Sequence, residues 1–304
     1  MGSRHIPVLV EEVMGFLQCE PGRTYVDATL GGGGHAFEIL RRSSPDGRLI
    51  GLEWDEIAIG EARNVLTPYG DRVGIFQENF VRLPEVLKEV GIDEVDGILF
   101  DLGLSSLQLD QQGRGFSFQA EGPLDMRMDR RRDLTAADFV NTLSQAALEE
   151  ALSRYGEERW AKRIAKAIVQ EREKRPILTT QALKTIVHRA IPRRFHSRRL
   201  DPATRTFQAF RIRVNDELEN LRATLQGAWR LLRKGGRICV ICFHSLEDRI
   251  VKETFREQAR KGGEGSGSNP VLSILTPKPV VPSEDEKRGN PRSRSAKLRC
   301  SERV

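Results

Sequence analysis

The stretch VDATLGGGGHA, residues 26–36, decides the fold. A short apolar run ends in four consecutive glycines and then gives way to a helix-compatible segment, so the chain leaves a strand through a turn of bare backbone. Outward from this turn, β-rich runs at 24–30, 48–54, 73–78 and 97–102, the last reading GILFDL, alternate with helix-like stretches at 36–42, 56–66 and 83–90. Strand, helix, strand at this spacing predicts a parallel sheet with helices on both faces.

After residue 102 the alternation stops for about a hundred residues. LSQAALEEALSRYGEERWAKRIAKAIVQEREK and TQALKTIVHRAI have helical periodicity, the second placing Leu183, Ile186, Val187 and Ala190 on one face. The α/β pattern resumes with DELENLRATLQGAWRLLRKGG, where Leu218, Leu221, Leu225, Ala228 and Leu232 form a stripe, Asp216 and Glu219 have capping-box spacing, and Gly235 stands as a helix stop. RICVICFHS reads as the next strand, KGGEGSGSNP as a flexible loop, and LSILTPKPV with AKLRCSERV as a closing antiparallel pair. The expected fold is therefore α/β, a doubly wound Rossmann-like sheet formed by 1–112 and 216–304 and interrupted by an all-helical domain at 113–215.

Charge separates the same two parts. Residues 113–215 carry 22 Lys and Arg against 12 Asp and Glu, net +10, whereas the whole chain of 304 residues is only +6. One segment thus holds all the excess positive charge, which suits either a polyanion partner or a well-solvated helical surface. No apolar run approaches the length that spans a bilayer, and the first residues lack a secretory pattern, so a cytoplasmic protein is expected. The Met-Gly start does not fit the myristoylation pattern, which wants Ser or Thr where Ile6 stands. Four cysteines are too few and too scattered for a disulfide framework; Cys239 and Cys242 lie in an apparent buried strand and read as core. The oligomeric state, monomer or dimer, is left open.

Ligands of a doubly wound sheet sit at the carboxyl ends of its strands, beside the switch in strand order. Gly31, Gly33 and Ala36 fit G-x-G-x-x-[GA], and Glu53 ends the second strand about twenty residues on. Two cofactors share this geometry: a dinucleotide, or S-adenosylmethionine with its amino-acid end against the turn. His35, too bulky for a pyrophosphate cradle, and Asp101 at the end of the fourth strand favour the methyl donor. Without the glycine turn, Asp101 reads first as a turn or helix-capping residue. A dinucleotide-dependent oxidoreductase, and an RNA-binding assembly factor without turnover, stay open on these residues.

The motifs HIPVLVEEV, DATLGGGGH, DGILFDLGLSS, GRGFSFQAEGPLDMRMD, YGEERWAKRIAKAIV, ATRTFQAFRIRVNDEL, CFHSLEDRIVK and NPRSRSAKLR follow one another along nearly the whole chain. In this order they resemble the ribosomal RNA small subunit methyltransferase H family. The resemblance implies a class I S-adenosylmethionine-dependent methyltransferase that modifies N4 of a cytidine, cytidine 1402, in the decoding region of 16S ribosomal RNA. It places cofactor contacts on Gly33, Gly34, His35, Glu53, Phe80, Asp101 and Gln108, no metal, and the reacting amine near Asp101. Glu53 departs from the Asp more usual in the family. The resemblance also makes the helical insertion a smaller domain that helps bind the RNA of the partner, the small ribosomal subunit, with Arg130, Arg131, Arg132, Arg193, Arg194, Arg198 and Arg199 as expected phosphate contacts. His244, in FHSLED, is a second residue expected near the site, as a structural or a catalytic histidine.

Overall fold

The run of strands and helices on either side of the glycine turn folds into a seven-stranded sheet in the order β3-β2-β1-β4-β5-β7-β6. The structure is a computed structural model, and it describes residues 7–105, 108–109, 111–197, 200–260 and 269–304. Ile6, Arg198, Arg199 and most of the glycine-rich stretch after Lys261 lie outside the described residues. Two compact units emerge, one of Met1–Ser105 with Leu218–Val304 and one of Ser106–Glu217.

In the first unit β1 (Thr24–Asp27), β2 (Arg48–Leu52), β3 (Val73–Phe76), β4 (Val95–Asp101) and β5 (Leu232–Cys242) all run parallel to one another. The short β6 (Leu272–Ile274) and the last strand, β7 (Lys297–Arg303), pair antiparallel with each other, and β7 also runs antiparallel to β5. This is the class I S-adenosylmethionine-dependent methyltransferase architecture, doubly wound with a reversed seventh strand. Helices cover both faces, so central strands are apolar without alternation: Ile98, Leu99, Phe100 and Ile238, Cys239, Val240, Ile241, Cys242 are all fully buried. Cys239 and Cys300 face each other across β5 and β7 with their Sγ atoms 3.2 Å apart, and Cys242 is buried on the same strand, so the cysteines serve as core.

Around the sheet stand α1 (Val10–Leu17), α2 (Gly34–Arg42), α3 (Glu56–Leu66), α4 (Leu83–Glu89) and, later in the chain, a helix at Glu217–Ala228 and a long one at Ser245–Arg260. Helix α1 was not among the expected elements; it buries Val13, Met14 and Leu17, and Arg237 on β5 donates to its Phe16 carbonyl (2.7 Å). Asp216 stands directly before the helix Glu217–Ala228, and in a left-handed conformation it also closes the preceding helix, its N–H returning to the Ile212 carbonyl. One local expectation fails after residue 215. Gly235 is no helix stop: Leu232 already begins β5, and residues 233–236 bulge out opposite the single Asp96, Gly235 supplying the positive φ of +78°.

The second unit is helical, with segments at Ala136–Thr142, Gln145–Gly156, Ala161–Arg172, Thr180–Ala190 and Thr204–Asn215. The first long run with helical periodicity forms two helices, parted at Glu157, whose φ is +48°. The irregular GRGFSFQAEGPLDMRMD segment is held from beneath. Asn215 accepts from Met128 N–H (2.8 Å) and donates to the carbonyls of Met126 (2.8 Å) and Arg211 (2.9 Å). Buried Arg114 donates to the carbonyls of Arg127 (2.9 Å) and Met128 (3.0 Å), so these loop carbonyls keep partners away from water.

The helices ending at Gly156 and starting at Thr204 approach so closely that a Cβ at Gly156 would lie 2.7 Å from the Arg205 carbonyl oxygen. Gly156→Ala is therefore expected to cost about 1–3 kcal/mol in urea unfolding. Gly60→Ala, in the exposed interior of α3 where a Cβ meets nothing within 4 Å, is expected to add about 0.5–1 kcal/mol. Equal effects of the two substitutions would contradict this account of the helix contact.

Candidate active site

The sheet changes direction between β1 and β4, and the loops after β1, β2, β3 and β4 all leave from the same carboxyl edge. Hydrogen bonds continue the ladder into these loops: Ala28 N–H to the Leu99 carbonyl, Leu30 N–H to the Leu52 carbonyl, and Glu53 N–H to the Phe76 carbonyl. The edge is thus rigid beyond the last strand residues. It carries Gly33, Gly34, His35, Glu53, Phe80 and Asp101 together. Gln108 belongs to the helical unit, where it is buried.

The glycine turn has two requirements of its own. Gly31 and Gly33 have φ of +51° and +84°, a region that other residues enter only with strain. A Cβ at Gly33 would also lie 3.3 Å from the Ala62 Cα, and one at Gly34 would lie 3.1 Å from Pro7 Cγ, so packing as well as backbone conformation keeps this turn bare.

Glu53 closes the turn against β2. Its Oε2 accepts from Gly31 N–H (2.9 Å) and its Oε1 from Asp55 N–H (2.8 Å), while Asp55 in turn caps α3 through Ile57 N–H (3.0 Å). Burial pushes the Glu53 carboxyl up to about 7, against the pull of the two N–H donors. Phe80 opens a short 3-10 turn, half-buried, with its ring edge-on to Phe100 at 5.7 Å.

His35 does not stand over the turn as an obstacle to a pyrophosphate. Its imidazole points inward and is 4% exposed, with Nε2 2.9 Å from the Val8 carbonyl oxygen and Nδ1 3.3 Å from Asp101 Oδ2. A carbonyl oxygen only accepts, so Nε2 carries a proton, and the carboxylate opposite Nδ1 calls for a second. Burial lowers the histidine's pKa, yet the hydrogen bond and charge of Asp101, together with the charge of Asp27, raise it above the ordinary value. Asp27, 1% exposed at the end of β1, is itself pushed up to about 6 by burial. Sequence reasoning passed over Asp27; the signal was its place as the last residue of β1, directly before the turn.

Asp101 has one oxygen held and one free. Its N–H donates to Thr29 Oγ1 (2.5 Å) and its Oδ2 faces His35, but its buried Oδ1 accepts no hydrogen bond among the described residues. A buried acceptor left without a partner costs about 1–3 kcal/mol, which a ligand donor at this spot would recover.

His244 is absorbed into a helix cap. Its Nδ1 accepts from Glu247 N–H (3.4 Å), and Glu247 Oε2 accepts in return from the N–H groups of Phe243 (2.7 Å) and His244 (3.3 Å). This is a capping box with histidine in the usual Ser or Thr place.

A family model described as the MraW methylase family matches residues 2–304. The chain belongs to the MraW methylase family. Proteins named ribosomal RNA small subunit methyltransferase H resemble this methylase along its length. The one from Geotalea uraniireducens is 52% identical over 99% of this chain and 98% of its own. That from Symbiobacterium thermophilum is 51% identical over 99% and 96%, and that from Desulfotalea psychrophila 50% over 99% and 98%. Methylases of this architecture draw the methyl group from S-adenosylmethionine. The residues here suit such a ligand: a backbone turn and a carboxylate at the ends of β1 and β2, and at the end of β4 a buried acceptor lacking a donor.

The buried acids set a pH dependence for the ligand-free protein. A carboxyl whose folded pKa is raised stabilises the fold below its unfolded pKa and loses that contribution as pH rises, for Glu53 through about 7. Stability should therefore fall as pH rises from about 4.5 to about 7. Glu53→Gln, which mimics the protonated acid, should flatten that fall by on the order of 3 kcal/mol. Urea unfolding at several pH values checks this, and an unchanged pH dependence in the variant would refute it.

Proposed function

We propose that this methylase transfers the methyl group of S-adenosylmethionine to the exocyclic N4 amine of a cytidine in 16S ribosomal RNA, cytidine 1402. The observation that carries the reading is the half-free carboxylate of Asp101 at the switch point of the sheet, with Oδ2 facing His35 and Oδ1 buried without a donor among the described residues. The names of the relatives, which specify small-subunit ribosomal RNA, support the choice of substrate. The +10 charge of residues 113–215 suits an RNA partner.

When bound, S-adenosylmethionine supplies a sulfonium methyl group that an amine displaces in line. The N–H groups of Gly34 and His35 would hold its amino-acid end, and Gly33, whose own N–H donates to the Leu30 carbonyl, would let it come close. Glu53 keeps lone pairs on both carboxylate oxygens and would accept from ribose hydroxyls, and Phe80 would offer its ring to the adenine. Asp101 Oδ1 accepts a hydrogen bond from the cytosine amine, whose lone pair is otherwise drawn into the ring. This positions the amine, offsets the positive charge that builds on nitrogen, and provides a place for the proton it sheds. His35 acts through Asp101 by fixing which oxygen faces the amine.

Asp101→Asn should lower kcat about 10²–10³-fold at saturating S-adenosylmethionine, with cofactor occupancy checked by calorimetry. Full turnover in this variant would remove Asp101 from the mechanism. Methyl transfer from labelled donor to small subunits lacking the modification should yield labelled N4-methylcytidine. Label on carbon 5 or on adenosine would reject the assigned chemistry.

A further inference from the structure

The expected phosphate contacts divide once their side-chain partners are known. Arg131 is bound to Asp129 (2.9 Å) and Arg132 to Asp216 (2.5 Å), so those loop cations are already partnered within the helical unit. Elsewhere in the same unit a different group of cations gathers on a half-buried and an exposed aromatic ring. Trp160, which opens the helix Ala161–Arg172, and Phe195, at the end of the 3-10 turn Arg193–Phe195, meet with ring centroids 5.1 Å apart. Phe195 keeps 42% of its surface exposed.

Guanidinium groups lie on these rings. Arg159 sits 5.1 Å from the Trp160 centroid and 5.2 Å from that of Phe195, Arg163 sits 5.5 Å from Trp160, and Arg194 sits 4.9 Å from Phe195. With Arg193, all four arginines are exposed, and among the described residues none of them forms an ion pair. Arg193 also lines an adjoining cleft of about 650 Å³, together with Lys184, His188, Arg189 and His196. That volume lies in the range of small-ligand pockets and admits a nucleoside.

We propose that the Trp160–Phe195 platform, with Arg159, Arg163, Arg193 and Arg194, binds an unpaired nucleotide run of the RNA substrate. The proposal rests on the RNA reading above and adds to it a second binding place, remote in sequence from the methyl-transfer residues. Aromatic faces and guanidinium planes are what an unstacked base stacks on, and unpaired arginines beside them meet the phosphates. An acidic protein surface would use the charges but leave the exposed Phe195 ring without a function.

The test measures binding of the full chain to a fluorescently labelled, unstructured 20-nucleotide RNA and to small-subunit RNA, with kcat and KM for methyl transfer. Phe195→Ala should weaken RNA binding about 5- to 100-fold and raise KM for RNA without changing S-adenosylmethionine affinity. Phe195→Trp, which keeps a stacking face, should restore binding. Arg193→Ala with Arg194→Ala should flatten the salt dependence of binding, by about one to two in log–log slope. RNA affinity and KM unchanged in Phe195→Ala would overturn the platform while leaving the substrate reading intact. Equal weakening of binding to polyglutamate and to RNA would overturn it in favour of an acidic protein partner. A wild-type chain that neither binds nor methylates small-subunit RNA would instead defeat the underlying substrate reading.

Discussion

A buried imidazole that must satisfy two oxygens at once organises this molecule's reactive edge. His35 spans from the Val8 carbonyl to Asp101, tying the N-terminal segment, the first helix after the glycine turn and the end of the fourth strand to one ring. With Asp27 and Glu53 also buried beside the turn, charge and burial work against each other over a few ångströms. The fold tolerates this because each group has a partner: Thr29 N–H donates to Asp27, and Gly31 and Asp55 N–H donate to Glu53. The exception is Asp101 Oδ1. Polar groups left short of partners inside otherwise well-satisfied structure are where ligands act.

The sheet was legible because its signals are local. GILFDL and RICVIC are apolar on both faces, as parallel strands covered by helices must be, and VDATLGGGG shows the turn that β1 needs. What escaped was set by long-range contacts. The inward turn of His35 depends on Val8 and on Asp101, 66 residues downstream, so its bulk seemed to bear on a ligand when it belongs to the interior. The leucine stripe carried one residue too far, since Leu232 is as well placed in a helix as in a strand, and only the pairing with Val95 decides. Asp216 read only as the start of a helix; it precedes the one beginning at Glu217 and also ends the one before, which its left-handed conformation allows.

In the helical unit, composition showed the sign of the charge but not its availability. Arg131 and Arg132 resemble Arg193 and Arg194 in sequence, yet the first pair lies beside Asp129 and Asp216 and the second beside an exposed aromatic ring. Trp160 and Phe195 come together from segments 35 residues apart, so no spacing rule links them. The +10 surplus is accordingly a poor guide to which cations face a partner; side-chain pairing is the better one.

The account turns on the protonation of His35 by its two oxygen partners. Nitrogen-15 NMR of the histidine rings, with His35 assigned by comparison with His35→Gln, measures it directly across pH. Both ring nitrogens should stay protonated to a pH above that of an ordinary histidine, and Asp101→Asn should bring the titration down. A neutral His35 at or below the ordinary value, or a titration unmoved by Asp101→Asn, would contradict the claim that this pair holds the free oxygen in place.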